Sequence, residues 1–202
     1  MLEAPNSPAT EVWFALHGYN QLAHRFLRYF QPIHVGSRAV VAAEGLHRQY
    51  VDHGAQEVGA SWMTSEDRVT DIGDYVAYLD QLHAHVLEDR GLTGEDVRIV
   101  ALGFSQGVHT LSRWLAFGTS RIDRAVLWGG TVPPDLDLVE HGSALSACDL
   151  RLVVGEADEH VSPTAIAAHE ARLAGANVSF QPHSYKGGHR LDATMLKFLA
   201  ES

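Results

Sequence analysis

The chain has 202 residues, 46% hydrophobic and 20% charged, a length and balance suited to one globular domain with a sizeable core. With 15 Lys and Arg against 25 Asp and Glu its formal net charge is -10, which spares no cationic surface for nucleic acid or an anionic membrane. No basic, then apolar, leader opens the sequence and no stretch reaches the roughly 20 apolar residues of a membrane span; the single cysteine, Cys148, excludes an internal disulfide and fits a reducing cytoplasm.

Residues 1–10 read as a short irregular lead-in. Glu11–Leu16 is a short apolar, β-prone run ending at His17-Gly18, and Ala39–Ala43 is a second. Glu44–Thr64 breaks the pattern. It is long, rich in Gly, His and Gln, and contains Ser61-Trp62-Met63-Thr64. A loop of that length is either functional or a surface excursion packed through Tyr50 and Trp62. Ser65–Arg90 then has helical spacing, with Ile72, Val76, Leu79, Leu82 and Val86 at three- and four-residue steps and Gly91 as a stop. Further strands are expected at Val97–Leu102, Arg124–Trp128, Leu150–Val154 and Asn177–Gln181, and further helices at Gln106–Phe117, Ser162–Leu173 and about Leu191–Ala200. Short, almost wholly apolar strands belong to a sheet covered on both faces. The alternation predicts a single α/β domain, a doubly wound, mostly parallel sheet of about six strands with helices on both sides.

The strand at Val97–Leu102 runs into Gly103-Phe104-Ser105-Gln106-Gly107, and a helix follows at once. This is G-x-S-x-G in the strand–turn–helix setting that makes it a nucleophile elbow. The turn is sharp, so the positions two before and two after the serine must lack side chains. A serine hydroxyl needs a base, and the base needs an acid to fix its tautomer. Gly155-Glu156-Ala157-Asp158-Glu159-His160 follows the Leu150–Val154 strand, and Asp158 is its best placed carboxylate, with Glu156 the alternative and Glu159 behind it. Tyr185-Lys186-Gly187-Gly188-His189 supplies the base, its glycines letting the backbone carry the imidazole over Ser105. His183 lies near the strand end without adjacent glycines, His160 could support the acid, and His109, one turn into the helix, reads as a packing or hydrogen-bonding residue. His83 and His85 are two apart on a helix and cannot share a metal. The loop after the first strand, His17-Gly18-Tyr19-Asn20-Gln21, would offer the Tyr19 N–H beside the Gln106 N–H to an oxyanion.

In this order the motifs resemble the phospholipase/carboxylesterase family of small α/β-hydrolases, which includes acyl-protein thioesterases and bacterial carboxylesterases. Leu16-His17-Gly18, the Phe and Gln inside the elbow, Leu127–Pro133, the Asp158 loop and Gly187-Gly188-His189 carry the likeness, from about Glu11 to the end. Gly18-Tyr19-Asn20-Gln21 departs from the family's Gly-x-Gly-Asp, Trp62-Met63-Thr64 from its Trp-Phe-Asp, and Val108 from a common second glycine. The resemblance implies a serine esterase using a Ser105–His189–Asp158 triad on small carboxylic esters, thioesters included, without cofactor or metal. A lysophospholipase or peptidase on the same scaffold is the nearest alternative, and a non-catalytic binding module a more distant one. Trp62, Met63 and Val132 would line the substrate rim or else belong to the core. The expected partner is a small ester or acyl substrate; the oligomeric state stays open, a homodimer included.

Overall fold

The computed structural model describes residues 1–6, 8–92 and 97–202. Along the chain run β1 (Glu11–Leu16), α1 (Ala23–Phe26) continued by a 3-10 stretch over Leu27–Ile33, β2 (Arg38–Ala43), β3 (His47–Asp52), β4 (Glu57–Ser61), α2 (Arg68–Asp89), β5 (Arg98–Phe104), α3 (Gln106–Phe117), β6 (Arg124–Trp128), α4 (Leu138–Ser146), β7 (Asp149–Gly155), α5 (Pro163–Gly175), β8 (Gln181–Tyr185) and α6 (Ala193–Glu201). Six strands form one sheet in the order β2-β1-β5-β6-β7-β8, every pair parallel. The chain winds outward from β1 to β2, then returns to place β5 on the other side. The winding therefore reverses between β1 and β5, where Leu16 sits beside Gly103. In such sheets the crevice outside the carboxyl ends of the strands at this reversal is where ligands bind.

Strand alternation assigns the two layers. Val12, Phe14 and Leu16 of β1, with Ile99 and Ala101 of β5, pack under α2, α3, α4 and α5 through Leu79, Leu111, Leu145 and Leu173. Trp13, Ala15, Val100 and Leu102 face the other way, onto Phe26, Phe30 and Ile33 of the α1 region and Leu196 and Leu199 of α6. Both faces are thus covered, which is why these strands read as continuous apolar runs.

Four local differences from the sequence reading stand out. The strand expected at Asn177–Gln181 begins only at Gln181. Asn177 adopts φ 56° and the Val178 N–H reaches back to the Leu173 carbonyl at 2.9 Å, so those residues cap α5 instead. Neither the α1 region nor α4 was expected. Leu2 of the lead-in forms a bridge with Val40 on the outer edge of β2, while residue 7 lies outside the described residues. Finally, the expected loop Glu44–Thr64 is an antiparallel β3–β4 hairpin. Its turn is set by the Asp52 carboxylate, which accepts the Gly54 and Ala55 N–H groups at 2.7 and 3.0 Å. Among the described residues no helix is long and apolar enough to cross a membrane.

Candidate active site

The turn between β5 and α3 holds Ser105 at φ 54°, ψ -115°, a conformation that costs a residue with a Cβ about 1–3 kcal/mol. The neighbouring glycines have no room for substitution: a Cβ on Gly103 would lie 2.3 Å from the Gly107 carbonyl oxygen, and one on Gly107 would lie 2.2 Å from that of Leu16. The Ser105 N–H donates to the Trp128 carbonyl at 2.9 Å, which ties the turn to β6.

The acid and base loops are stitched together by backbone bonds, Glu156 N–H to the Tyr185 carbonyl and Ala157 N–H to that of Gly187, both at 2.9 Å. The Tyr185 hydroxyl donates to the Gly188 carbonyl at 2.8 Å, and the Trp128 indole to that of Arg190 at 3.0 Å. So held, His189 places Nδ1 2.9 and 3.1 Å from the two carboxylate oxygens of Asp158. That carboxylate is 1% exposed and also accepts the His160 and Val161 N–H groups. A carboxylate partner puts the proton on Nδ1 and leaves Nε2 as an acceptor. Glu156 is exposed, and Glu159 accepts the His189 backbone N–H at 3.3 Å. The His189 ring lies against Phe104 (4.9 Å between centroids) and His160 (4.4 Å), with Gly129 passing beneath at φ 63°. Ser105 and His189 line one cleft of about 360 Å³, and among the described residues no hydrogen bond joins them. Such bonds are often long until substrate tightens them.

The loop after β1 reaches the same place. A Cβ on Gly18 would be 3.2 Å from Ser105 Cβ. Among the described residues neither the Tyr19 nor the Gln106 N–H has an acceptor. His17 explains how the Tyr19 N–H is aimed. Its Nε2 accepts the Gly45 N–H at 2.9 Å, so the proton sits on Nδ1 and is donated to the Gly18 carbonyl at 2.7 Å. A trans peptide points its N–H opposite its carbonyl, so fixing the Gly18 oxygen fixes the Tyr19 N–H. Gln21 holds the loop with its side-chain oxygen on the Gly18 N–H at 2.8 Å.

The hairpin grips this loop and the elbow together. The Asn20 N–H donates to the Ala60 carbonyl and the Ala60 N–H to that of Gln21, while Gln49 bonds both the Tyr19 hydroxyl and the Asn20 side chain at 2.8 Å. The Gln106 side chain accepts from the Trp62 N–H and donates to the Ser61 hydroxyl.

Two of the three expected substrate contacts are corrected. Trp62 is fully buried, its indole donating to the His17 carbonyl at 2.8 Å, and Val132 is 2% exposed in the core. Met63, half-buried, packs on the core toward Arg113. The cleft wall is instead His109, Gly130, Thr131, His160, Val161 and Ala165. His109, expected to pack or hydrogen-bond, stands four residues after Ser105, a spacing that returns it to the same side of α3. No group of three His, Cys, Asp or Glu side chains is placed to hold a metal among the described residues.

Two buried imidazoles make stability pH-dependent. Burial, with Arg172 nearby, pushes His169 down to about 4, and burial lowers His17 as well. His169 accepts the Val132 N–H through Nε2 at 3.0 Å, a bond that its protonation would break. Unfolded histidines take up a proton near pH 6.5, the folded ones only lower, so the unfolded state binds more protons in between. Stability is complete above about 6.5 and falls with pH below it, by up to about 1.4 kcal/mol per unit for each group. Urea midpoints at pH 7.5 and pH 5 should show that drop, and a His169→Gln variant a shallower one; equal midpoints in the wild-type chain would contradict it.

No family model matches the sequence, and no curated protein matches it. Solved structures do. Esterase PE8 superposes with a TM-score of 0.72 at 19% identity, covering 99% of this chain and 94% of its own. A carboxylesterase from Mesorhizobium loti gives 0.72 at 18% (96% and 88% covered), and Zea mays acyl-protein thioesterase 2 gives 0.71 at 15% (98% and 94%). Likeness at such identities speaks for architecture, and with the parallel sheet wound as described, the chain has the α/β-hydrolase fold.

Proposed function

We propose that the protein is a serine hydrolase of the phospholipase/carboxylesterase kind, cleaving small carboxylic esters, and thioesters, through an acyl-enzyme on Ser105. The observation that carries this reading is the strained Ser105 sharing one cleft with a His189 whose Nδ1 is bonded to a buried Asp158. His189 Nε2 takes the Ser105 proton as Oγ attacks the carbonyl carbon. The negative charge collects on the carbonyl oxygen between the Tyr19 and Gln106 N–H groups, each such donor being worth about 3 kcal/mol in the transition state. Collapse expels the alcohol or thiol, which leaves with the proton from His189. Water then attacks the acyl-enzyme, His189 takes its proton, and the acid departs as Ser105 recovers its hydrogen. The burial of Trp62 and Val132 withdraws both from any apolar rim, which favours small esters over lysophospholipids.

A fluorophosphonate probe should label the chain on the peptide holding Ser105, with no label on Ser105→Ala. A series from p-nitrophenyl acetate to laurate should favour the short esters. Labelling of the variant would remove Ser105 from the mechanism, and a sharp preference for laurate would return the lipid reading.

A further inference from the structure

A second cavity, of about 550 Å³, opens beside the loop that follows β1, walled by Gln21, Arg25, Phe26, Arg28 and Tyr29 among others. Among the described residues no carboxylate lines it. In a chain of net charge -10 that is an unusual environment, two guanidinium groups with a phenol and the two carboxamides of Asn20 and Gln21 for company. Arg28 has no ion pair among the described residues. The nearest acid to Arg25 is Glu57 at 3.7 Å, with both side chains about half exposed, and such exposed pairs hold weakly enough for an incoming anion to compete.

Gln21 connects this cavity to the nucleophile. Its side-chain oxygen is spent on the Gly18 N–H, and its NH2 group has no acceptor among the described residues. A Cβ built on Gly18 would lie 3.2 Å from that oxygen and equally 3.2 Å from Ser105 Cβ. The cavity therefore starts one side chain away from the reacting serine, and everything polar it offers from Gln21, Arg25 and Arg28 is a donor. Guanidinium groups recognise carboxylate and phosphate through paired, charge-assisted hydrogen bonds.

Resting on the hydrolase reading above, we propose that this cavity is a substrate subsite for an anionic group, a carboxylate or phosphate carried by the ester, held by Arg25 and Arg28. Matched substrates test it: mono-p-nitrophenyl succinate against p-nitrophenyl butyrate for an anion in the acyl half, and 3-carboxyphenyl acetate against phenyl acetate for one in the alcohol half. In at least one pair, the anionic-to-neutral ratio of kcat/KM should fall roughly tenfold or more in Arg25→Gln/Arg28→Gln, and fall with added salt in the wild-type chain. Lys197→Gln, which removes one positive charge from the exposed face of α6, should leave both ratios within about twofold of the wild type. Ratios unmoved by the double substitution in both pairs overturn the proposal. If the wild-type chain hydrolyses none of the four esters, the hydrolase reading is what has failed. The subsite is then decided by calorimetric titration of succinate and of inorganic phosphate: binding lost in the double variant supports it, the tighter of the two naming the anion, and no binding overturns it.

Discussion

Replacing Ser105 with Ala should lower kcat for p-nitrophenyl acetate by about 10⁴- to 10⁶-fold, and Asp158→Asn by about 10⁴-fold, with the double variant no worse than Ser105→Ala alone. The serine effect is the loss of the attacking oxygen. The second effect follows from how Asp158 is held. Its Oδ1 accepts the N–H groups of His160 and Val161 at 2.9 and 3.1 Å. An asparagine would keep its carbonyl there and turn its NH2 toward Oδ2's place, 2.9 Å from His189 Nδ1. That donor would force Nδ1 to accept, moving the imidazole proton to Nε2, where it cannot take one from Ser105. The two variants must be non-additive because they disable one proton transfer. Steady-state rates at saturating ester decide it. A kcat for Asp158→Asn within tenfold of wild type would shift the acid role toward Glu156.

How much of this was legible in the residues depends on how local each cause is. The parallel strands could be read because burial on both faces leaves no polar alternation, and the elbow because two glycines and a serine encode a steric requirement over five residues. Order along the chain pointed to the Asp158 loop and to His189, each just after a strand whose carboxyl end the fold brings to one edge, but left Glu156 open beside Asp158. The β8 boundary was not legible, since Val178 and Phe180 satisfy β-propensity while the backbone uses Asn177 and Val178 to finish α5. The hairpin was missed for a different reason. Its strands pair with each other rather than with the main sheet, and β3 is largely exposed, so no apolar run marks it. Trp62 and Val132 look the same in sequence whether they face a cleft or the core, and only the packing of α2 and α3 around Trp62 and of α5 around Val132 decides that they are interior. His17 was visible as part of a motif, but its role required knowing that Gly45, distant in sequence, donates to its far nitrogen.

Gly107→Ala should be among the most damaging single-methyl changes at the described glycines, with a loss of both stability and turnover. Gly107 lies in the first turn of α3, where a Cβ would stand 2.2 Å from the Leu16 carbonyl oxygen and 2.9 Å from that of His17. Those are backbone atoms at the end of β1, which cannot swing aside as a side-chain tip could. Relief requires α3 to lift or the end of β1 to move, and forcing a methyl into packed backbone costs about 1–3 kcal/mol or more. The movement is not confined to the contact. His17 is the residue whose ring fixes the Gly18 carbonyl and whose own carbonyl accepts the Trp62 indole, so displacing it rotates the peptide that presents the Tyr19 N–H. Losing the alignment of one oxyanion donor costs roughly 10²- to 10³-fold in kcat, whereas KM, set by the cleft walls on the other side of Ser105, should change little. Gly73→Ala is the matched comparison. It sits in α2 with nothing within 4 Å of the added methyl, and should stabilise by up to about 1 kcal/mol through helix propensity alone. Thermal unfolding and steady-state kinetics on the two variants should therefore diverge in sign for stability. A Gly107→Ala protein that melts and turns over like the wild type would mean that the elbow and the loop after β1 are not in the steric contact described.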